Sequence, residues 1–404
     1  MKSIKQLKNL KGKTVLLRVD FNVPIKNGKI LDDFRIRKAL PTIKFLEKRG
    51  AKIILITHLG KDGSESLAPI IRHFSKISGF SVGMFSSTFE LPEGPTPSLP
   101  RGRAQGRKSG REYAGKHNPD IYFFENIRKF PGEEKNDLRF AKRLASLGDI
   151  YVNEAFSVSH RKHASVVGLP KYLPSYAGFQ LEAEIKNLSK VFKNPKHPFL
   201  YIAGGAKFAT KLPLIKKYLR LADHVFVGGS LVNIFLKEKG YEIGKSLLEN
   251  AGCDIKFILN NIKLILPTDV LIENDTISAG AKSVSLKKIN EIKKSETILD
   301  VGDESVKNLE ELIKKSKLIL WNGPLGRYEN GGAKATKRTM NFLLEQKGKE
   351  IVIGGGDLTS LVPKKFLEPR NYKLKPNLFV STGGGATLDF LVEGTLPGIK
   401  ALTR

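Results

Sequence analysis

The chain has 404 residues, 40% hydrophobic and 8% aromatic, with 69 Lys and Arg against 40 Asp and Glu for a net charge of +29. That length and composition predict two or three globular domains with sizeable cores and exclude a disordered or collagen-like chain. The single cysteine, Cys253, rules out an intramolecular disulfide and fits a reducing cytoplasm. No apolar run reaches the roughly 18 residues of a membrane span, and MKSIKQLKNLKGK at the N-terminus lacks the apolar centre of a signal peptide. A basic balance favours anionic partners such as nucleic acid, an anionic membrane or small polyanions. The excess is scattered along the chain, however, which a solvated lysine-rich surface explains most simply.

In chain order, TVLLRVDFNVP (14–24) and AKIILITHLGK (51–61) come first, separated by RKALPTIKFLEKRG (37–50) with helical spacing of its apolar residues. Residues 81–118 then break the rhythm. Four prolines precede Arg101, the last of them opening PRGRAQGRKSGREYAGKHN (100–118), which holds six basic residues against Glu112 alone and has no helical or strand period. It reads as a basic surface loop or insert. DIYFFENIR (120–128) and DIYVNEAFS (149–157) resume the apolar runs, and GFQLEAEIKNLSKVFKNPKHP (178–198) reads as a helix followed by a polar connection, a candidate hinge. The second half repeats the theme in FLYIAGGAK, HVFVGGS, KLILPTDVLI, KLILWNGP, EIVIGGGD and NLFVSTGGGA, with VKNLEELIKKSK as an amphipathic helix between two of them. Near-continuous apolar strands alternating with helices predict an α/β protein: two doubly wound, Rossmann-like parallel-sheet lobes joined by a hinge helix.

The two halves end their strands differently. The first supplies Arg18, Asp20, Asn22, Arg35, Arg37, His58, Lys61, Arg128, His160, Arg161 and His163. Arginines converging beyond strand ends suit a small, multiply charged anion, because the planar guanidinium grips carboxylate and phosphate bidentately. An exposed helix start is the plain alternative for Arg35 and Arg37, and a structural role suits His58 equally well. The second half ends its strands in glycines at 204–205, 228–229, 354–356 and 383–385. Glycine lets the backbone approach a phosphate, and a following helix aims unpaired N–H groups at it. A tight turn is the alternative for any one of these runs; four together indicate a nucleotide.

In GGAKFATK, Lys207 and Lys211 are four apart, so both would face one side of a helix and welcome an anion between them. A surface lysine pair is the competing reading. Asp357 could hold Mg²⁺ on phosphate oxygens, and Glu329 could accept from a ribose. GYEIGKS (240–246) imitates a phosphate loop but is one residue short and follows no strand, so it reads as a turn. A nucleotide lobe and an anion lobe together suggest phosphoryl transfer, which needs positioning and charge neutralisation more than covalent chemistry. A hinge would bring the ligands together and exclude water.

These motifs resemble those of the phosphoglycerate kinase family. RVDFNVP, HLG, PGEEKND, HASVVGLP, GGAK, YEIGKSL, LPTDV, WNGP, GGGD and VSTGGGATLDFL…LPGI stand in the family's order over all of the chain except about 81–118. The resemblance implies a monomeric glycolytic enzyme, transferring phosphate between 1,3-bisphosphoglycerate and Mg-ADP to give 3-phosphoglycerate and Mg-ATP, with Mg²⁺ bound alongside the nucleotide. It implies an acid-substrate lobe at 1–177 with 81–118 as its atypical basic loop, a hinge at 178–198, a nucleotide lobe at 199–388, and a tail at 389–404 returning to the first lobe. The acid substrate would be held by Asp20, Asn22, Arg35, His58, Arg128 and Arg161, with Phe21, Leu59, Gly60 and Lys61 alongside. Arg35 and Lys207 would stabilise the phosphoryl group in flight, helped by backbone N–H groups around Gly355 and Gly384. Gly205, Lys207, Lys211, Gly228, Asn322, Glu329, Gly355, Gly356, Asp357, Leu358 and Thr359 would form the nucleotide site.

Several positions depart from the family pattern. HLGKDG replaces HLGRP, so Lys61 keeps the charge and loses the fork. GGGDLT replaces GGGDT, moving Thr359 one position on, a rotation of about 100° on a helix. NEAFS, with Glu154 and Ser157, replaces NDAFG, and the stretch after GRYE lacks the family's aromatic residue. An active enzyme with altered KM is the expectation. Two alternatives stay open at this point: a basic nucleic-acid-binding protein acting through 100–118, and a kinase relative without activity. Neither a membrane nor a nucleic-acid partner is expected, and the 100–118 loop is expected to be the first tryptic cut.

Overall fold

The computed structural model describes residues 1–84, 119, 121–249, 255–274, 283–363, 366 and 377–403. The basic run 100–118 and Cys253 lie outside them. The described chain forms two compact units, residues 1–186 with 395–404, and residues 187–394.

The first unit contains β1 (Thr14–Arg18), a hairpin of β2 (Ile25–Lys26) and β3 (Lys29–Ile30), α1 (Phe34–Glu47), β4 (Lys52–Ile56), α2 (Ala68–Ser78), β5 (Val82–Met84), β6 (Ile121–Phe123), α3 (Pro131–Glu134), α4 (Leu138–Ala145), β7 (Ile150–Asn153), β8 (Ser175–Ala177) and α5 (Phe179–Ser189). Its sheet runs β5-β6-β4-β1-β7-β8, all parallel. The central strands are covered on both faces, which is why TVLLR and KIILI read as unbroken apolar runs. Phe21, Phe74 and Phe123 pack together beneath them, with ring centroids 5.5–6.1 Å apart. The expectation of a loop from residue 81 fails at its start, and the rest of that expectation, from residue 85 to 118, lies outside the described residues. Val82–Met84 add an edge strand to β6, a three-residue element too short to show a period.

The second unit contains β9 (Phe199–Ala203), α6 (Phe208–Leu221), β10 (His224–Val227), α7 (Leu231–Glu238), α8 (Lys256–Leu259), β11 (Leu264–Ile265), β12 (Asp269–Asn274), β13 (Ser283–Lys288), β14 (Glu296–Val301), α9 (Asp303–Lys315), β15 (Leu318–Asn322), α10 (Lys334–Glu345), β16 (Glu350–Gly354), α11 (Gly356–Ser360), β17 (Leu378–Val380) and α12 (Gly385–Glu393). The parallel sheet is ordered β11-β10-β9-β15-β16-β17. Numbered along the chain this is 3-2-1-4-5-6, the dinucleotide-fold order, with its reversal between β9 and β15. A separate antiparallel sheet, β13-β12-β14, was not expected. The run KLILPTDVLI is interrupted at Pro267, so its first half joins the parallel sheet and its second half the antiparallel one.

The final helix, α13 (Pro397–Ala401), packs in the first unit, where Gly398 N donates to Ser159 O at 2.8 Å. GYEIGKS is a turn: Gly244 has φ +58° and bridges to Thr297, and the Ser246 hydroxyl accepts from Ile298 N at 2.8 Å.

Candidate functional site

In each parallel sheet the strand order reverses once at the centre, and the loops at that reversal diverge to leave a crevice beyond the carboxyl ends of the strands. In the first unit the reversal lies between β1 and β7. The chain leaving β1 carries Asp20 and Asn22, and the turn after β7 carries Ser157 and Arg161. The neighbouring strand β4 ends at His58, Gly60 and Lys61, and Arg128 sits in the 3₁₀ turn Ile127–Lys129 beyond β6.

Asp20 is the centre of this group. Arg35 Nη1 donates to its Oδ2 at 2.9 Å and to Asn22 O at 3.0 Å, and Ser157 Oγ donates to the same Oδ2. Asp20 Oδ1 accepts from Asn22 N at 3.1 Å and lies 3.7 Å from His58 Nδ1. Burial by itself would raise this carboxyl, but the Arg35 guanidinium, the Ser157 hydroxyl and Arg18 outweigh it and hold it well below the usual range. His58 is 3% exposed, and burial, with Arg18, Arg128 and Arg161 reinforcing it against Asp20, keeps the ring neutral. Arg18 Nη2 lies 3.4 Å from His58 Nδ1, and a guanidinium only donates, so Nδ1 accepts and Nε2 carries the proton.

Arg18 is nearly fully buried, a role its sequence position hides. Its Nε donates to Ser165 Oγ at 2.9 Å, and Ser165 in turn donates from Oγ and N to Glu133 at 2.6 and 2.8 Å. Arg128 donates to Gly60 O and Lys61 O at 2.5 and 3.1 Å and pairs with Glu134 at 3.3 Å. His163 is pushed down to about 4 by burial and then by Arg18, Arg161, Arg128 and His160. The pocket therefore concentrates positive charge on one crevice, an arrangement relieved by an anion. Arg37, beside Arg35 in sequence, pairs instead with Asp33 at 2.9 Å on an exposed face of α1. The Phe21 and Leu59 side chains lie in the core, and Lys61 projects outward.

In the second unit the reversal lies between β9 and β15. Helix α6 starts at Phe208, so Lys207 is the residue before the helix and is exposed, while Lys211 is buried inside it. The pair thus differs in environment, although the spacing alone gives them one face. Burial lowers Lys211 to about 8, with Asp357 opposing. Glycines 204, 229 and 323 serve a different purpose from ligand approach. Gly205 N donates to Pro324 O and Gly229 N to Leu325 O, and a Cβ on Gly229 would lie 2.6 Å from Gly205 N. Gly228 N is likewise occupied, donating to Ala203 O at 2.8 Å.

At the end of β15, Asn322 is fully buried, and neither its Oδ1 nor its Nδ2 has a hydrogen-bond partner among the described residues. Buried amides are almost always satisfied, so this one is poised for a ligand. Gly355, with φ +100°, passes directly over it, and a Cβ there would lie 3.2 Å from Asn322 Nδ2. Gly356 and Gly384 border open space. Asp357 is exposed on the first turn of α11, and Leu358 is buried behind it. Thr359 Oγ1 donates back to Gly356 O at 2.9 Å. Glu329 is exposed and accepts from Tyr328 Oη at 3.0 Å. Tyr328, half-buried, is raised to about 12 by burial and by the neighbouring carboxylates of Glu329 and Asp357. It places an aromatic ring beside this site, which motif comparison alone missed.

Comparisons with known proteins identify the family of this chain and agree with its fold. A family model described as phosphoglycerate kinase matches residues 4–394. The phosphoglycerate kinase of Dictyoglomus turgidum is 38% identical over 405 residues, covering 98% of this chain and 96% of that protein. That of Pseudothermotoga lettingae is 40% identical over 409 residues, again covering 98% and 96%. The solved phosphoglycerate kinase of Coxiella burnetii is 33% identical with a TM-score of 0.78, covering 99% of this chain and 98% of that one.

Proposed function

The chain belongs to the phosphoglycerate kinase family, and from that premise we propose how its residues divide the work. It is a phosphotransferase with a carboxyl acceptor and acts in glycolysis, moving a phosphoryl group between 1,3-bisphosphoglycerate and ADP to yield 3-phosphoglycerate and ATP.

We assign the acid substrate to the arginine crevice of the first unit, with Asp20, Asn22, Arg35, His58, Arg128 and Arg161 as its lining. Neutral His58 contributes a hydrogen-bond donor without adding charge, while the guanidiniums neutralise the acid's carboxylate and phosphate. The nucleotide belongs at the β9–β15 reversal, with Lys211, Asn322, Glu329, Gly355, Gly356 and Asp357 around it. The unpartnered, buried Asn322 amide beneath the left-handed Gly355 is the observation that carries this assignment.

Among the described residues no group of three or more His, Cys, Asp or Glu could hold a metal. An exposed Asp357 carboxylate fits Mg²⁺, which binds through one or two carboxylates with the rest of its shell from phosphates and water. Bound there, Mg²⁺ would neutralise phosphate oxygens of the nucleotide. Lys207 is exposed just ahead of α6, and Arg35 is fixed by Asp20; we assign both to the charge developing on the transferring phosphoryl group. Transfer requires the two bound ligands to meet in line, so the cycle includes a closing step that also excludes water. Both sites come from one chain, which supports a monomer, and the single cysteine supports a cytoplasmic setting.

The test is a coupled assay with 3-phosphoglycerate and Mg-ATP on Arg35→Ala and Lys207→Ala. Each should lower kcat by about 10²–10³-fold, the usual effect of removing one donor to a transition-state charge. Folded variants that keep wild-type turnover would overturn the assignment.

A further inference from the structure

Ser157 lies outside every role assigned above. It occupies the 3₁₀ turn Phe156–Val158 after β7, the strand paired with β1 at the reversal. The turn is fixed on both sides. Phe156 and Val158 are buried, Asn153 Oδ1 accepts from Ala155 N at 2.9 Å, and Ser159 N donates to Phe156 O at 3.0 Å. The hydroxyl of Ser157 crosses to the other strand's loop and donates to Asp20 Oδ2, 137 residues away in sequence. That oxygen is also the one that accepts from Arg35 Nη1 at 2.9 Å, while Oδ1 faces Asn22 N and His58.

A carboxylate is free to turn about its Cβ–Cγ bond unless each oxygen has its own fixed donors. Asn22 N restrains Oδ1 from within the same loop. Ser157 restrains Oδ2 from a second, independently anchored element, so the plane of the carboxylate is set from both strands of the reversal. Arg35 comes from the mobile end of a long side chain on α1, and its Nη1 has two acceptors: Asn22 O at 3.0 Å and this carboxylate oxygen. The orientation of the guanidinium therefore follows that of Asp20.

We propose that Ser157 is a positioning residue for the acid-substrate site, its hydroxyl fixing the Asp20 carboxylate and through it the Arg35 guanidinium. The inference rests on the assignment of Asp20 and Arg35 to acid-substrate binding.

The experiment measures KM for 3-phosphoglycerate and for ATP separately in Ser157→Ala, Ser157→Thr and Asp20→Asn. Loss of one hydrogen bond to a charged group should raise the Ser157→Ala KM for 3-phosphoglycerate by about tenfold. The KM for ATP should stay at the wild-type value, and Ser157→Thr, which keeps the hydroxyl, should restore the acid-substrate KM. An unchanged KM for 3-phosphoglycerate in Ser157→Ala, an equal rise for both substrates, or no restoration by Thr overturns the proposal. Asp20→Asn separates the two levels. If it raises the acid-substrate KM while Ser157→Ala does not, the positioning role alone fails; if Asp20→Asn also leaves that KM unchanged, the site assignment fails with it.

Discussion

Lys211→Met separates a cost in the empty protein from a gain in the nucleotide complex. Lys211 is 7% exposed, and burial brings its ammonium from the ordinary 10.5 to about 8 although Asp357 pulls it upward. At 1.36 kcal/mol per pKa unit, that displacement is on the order of 3 kcal/mol against the folded, protonated form at neutral pH. The sign follows from proton binding. Between about pH 8 and 10.5 the unfolded chain keeps the proton and the folded chain releases it, so stability rises with pH across that window. Below it the destabilisation is present in full. Methionine has a similar length and no charge to desolvate, so Lys211→Met should melt higher than wild type at pH 7 without ligand, by roughly 2–4 °C for each kcal/mol removed. That advantage should shrink by pH 10. Adding Mg-ADP should reverse the order, because the wild type pairs its buried cation with phosphate while the variant binds at least about tenfold more weakly. Thermal melts at the two pH values, each with and without Mg-ADP, read all four states. A variant that melts lower than wild type at pH 7 without nucleotide, or that gains as much from Mg-ADP, would refute the reasoning.

Glu154 accepts from Gln180 N and Leu181 N at the start of α5, and burial raises it to about 8 against opposing hydrogen bonds from Thr42, Gln180 and Leu181. The folded state then holds the extra proton between the ordinary 4.5 and about 8, so this group's contribution falls as pH rises through that window. Urea melts should therefore show Glu154→Gln gaining on wild type from pH 5 to pH 8.5; a difference that does not change with pH would contradict this. Deleting 100–118 removes none of the residues gathered at either crevice, so steady-state assays should give kcat and both KM values within about twofold of wild type. A larger loss would place a functional contact in that run.

The parallel sheets were legible because a strand covered on both faces must be apolar along its whole length, and all ten apolar runs contain strands. The antiparallel sheet was not, because β13 exposes Val284 and Leu286 and so offers no buried period to detect. Site residues divide in the same way. Asn322 closes β15 and Asp357 opens the helix that follows β16, so sequence order alone places both at the carboxyl ends of strands. Arg35 and Arg37 share one helix start, and only their partners, Asp20 for one and Asp33 for the other, tell the residue at the crevice from the surface one. Arg18 was named with the other arginines of the first half, but its place at the end of β1 does not show the buried network it enters, because Ser165 and Glu133 fold across to it from far along the chain. The glycines at 204 and 229 read as phosphate-loop residues, yet they are needed, together with Gly323, because three backbone segments meet there with no space for a Cβ.

On the proposed assignment the two crevices would meet their anionic ligands by different physical means, and the difference would follow from ligand size. A three-carbon acid concentrates a carboxylate and a phosphate in a small volume, so the first unit answers with guanidiniums crowded closely enough to repel one another. Asp20 and neutral His58 then become necessary parts of the empty site: the carboxylate offsets part of that repulsion, and an uncharged ring adds a donor without adding to it. A nucleotide spreads its charge along a chain of phosphates, so the second unit meets it with few cations, one of them buried, and with backbone that comes close only where no side chain intervenes. Gly355 at φ +100° lies against the Asn322 amide, and any L-side chain there would strain the backbone and crowd that amide together. The first crevice would therefore be sensitive to the arrangement of charge, which the role proposed for the Ser157 hydroxyl would tune. The second is sensitive to space, which is why its departures from the family pattern at Leu358 and Thr359 are accommodated by turning one side chain into the core and the other back onto its own turn.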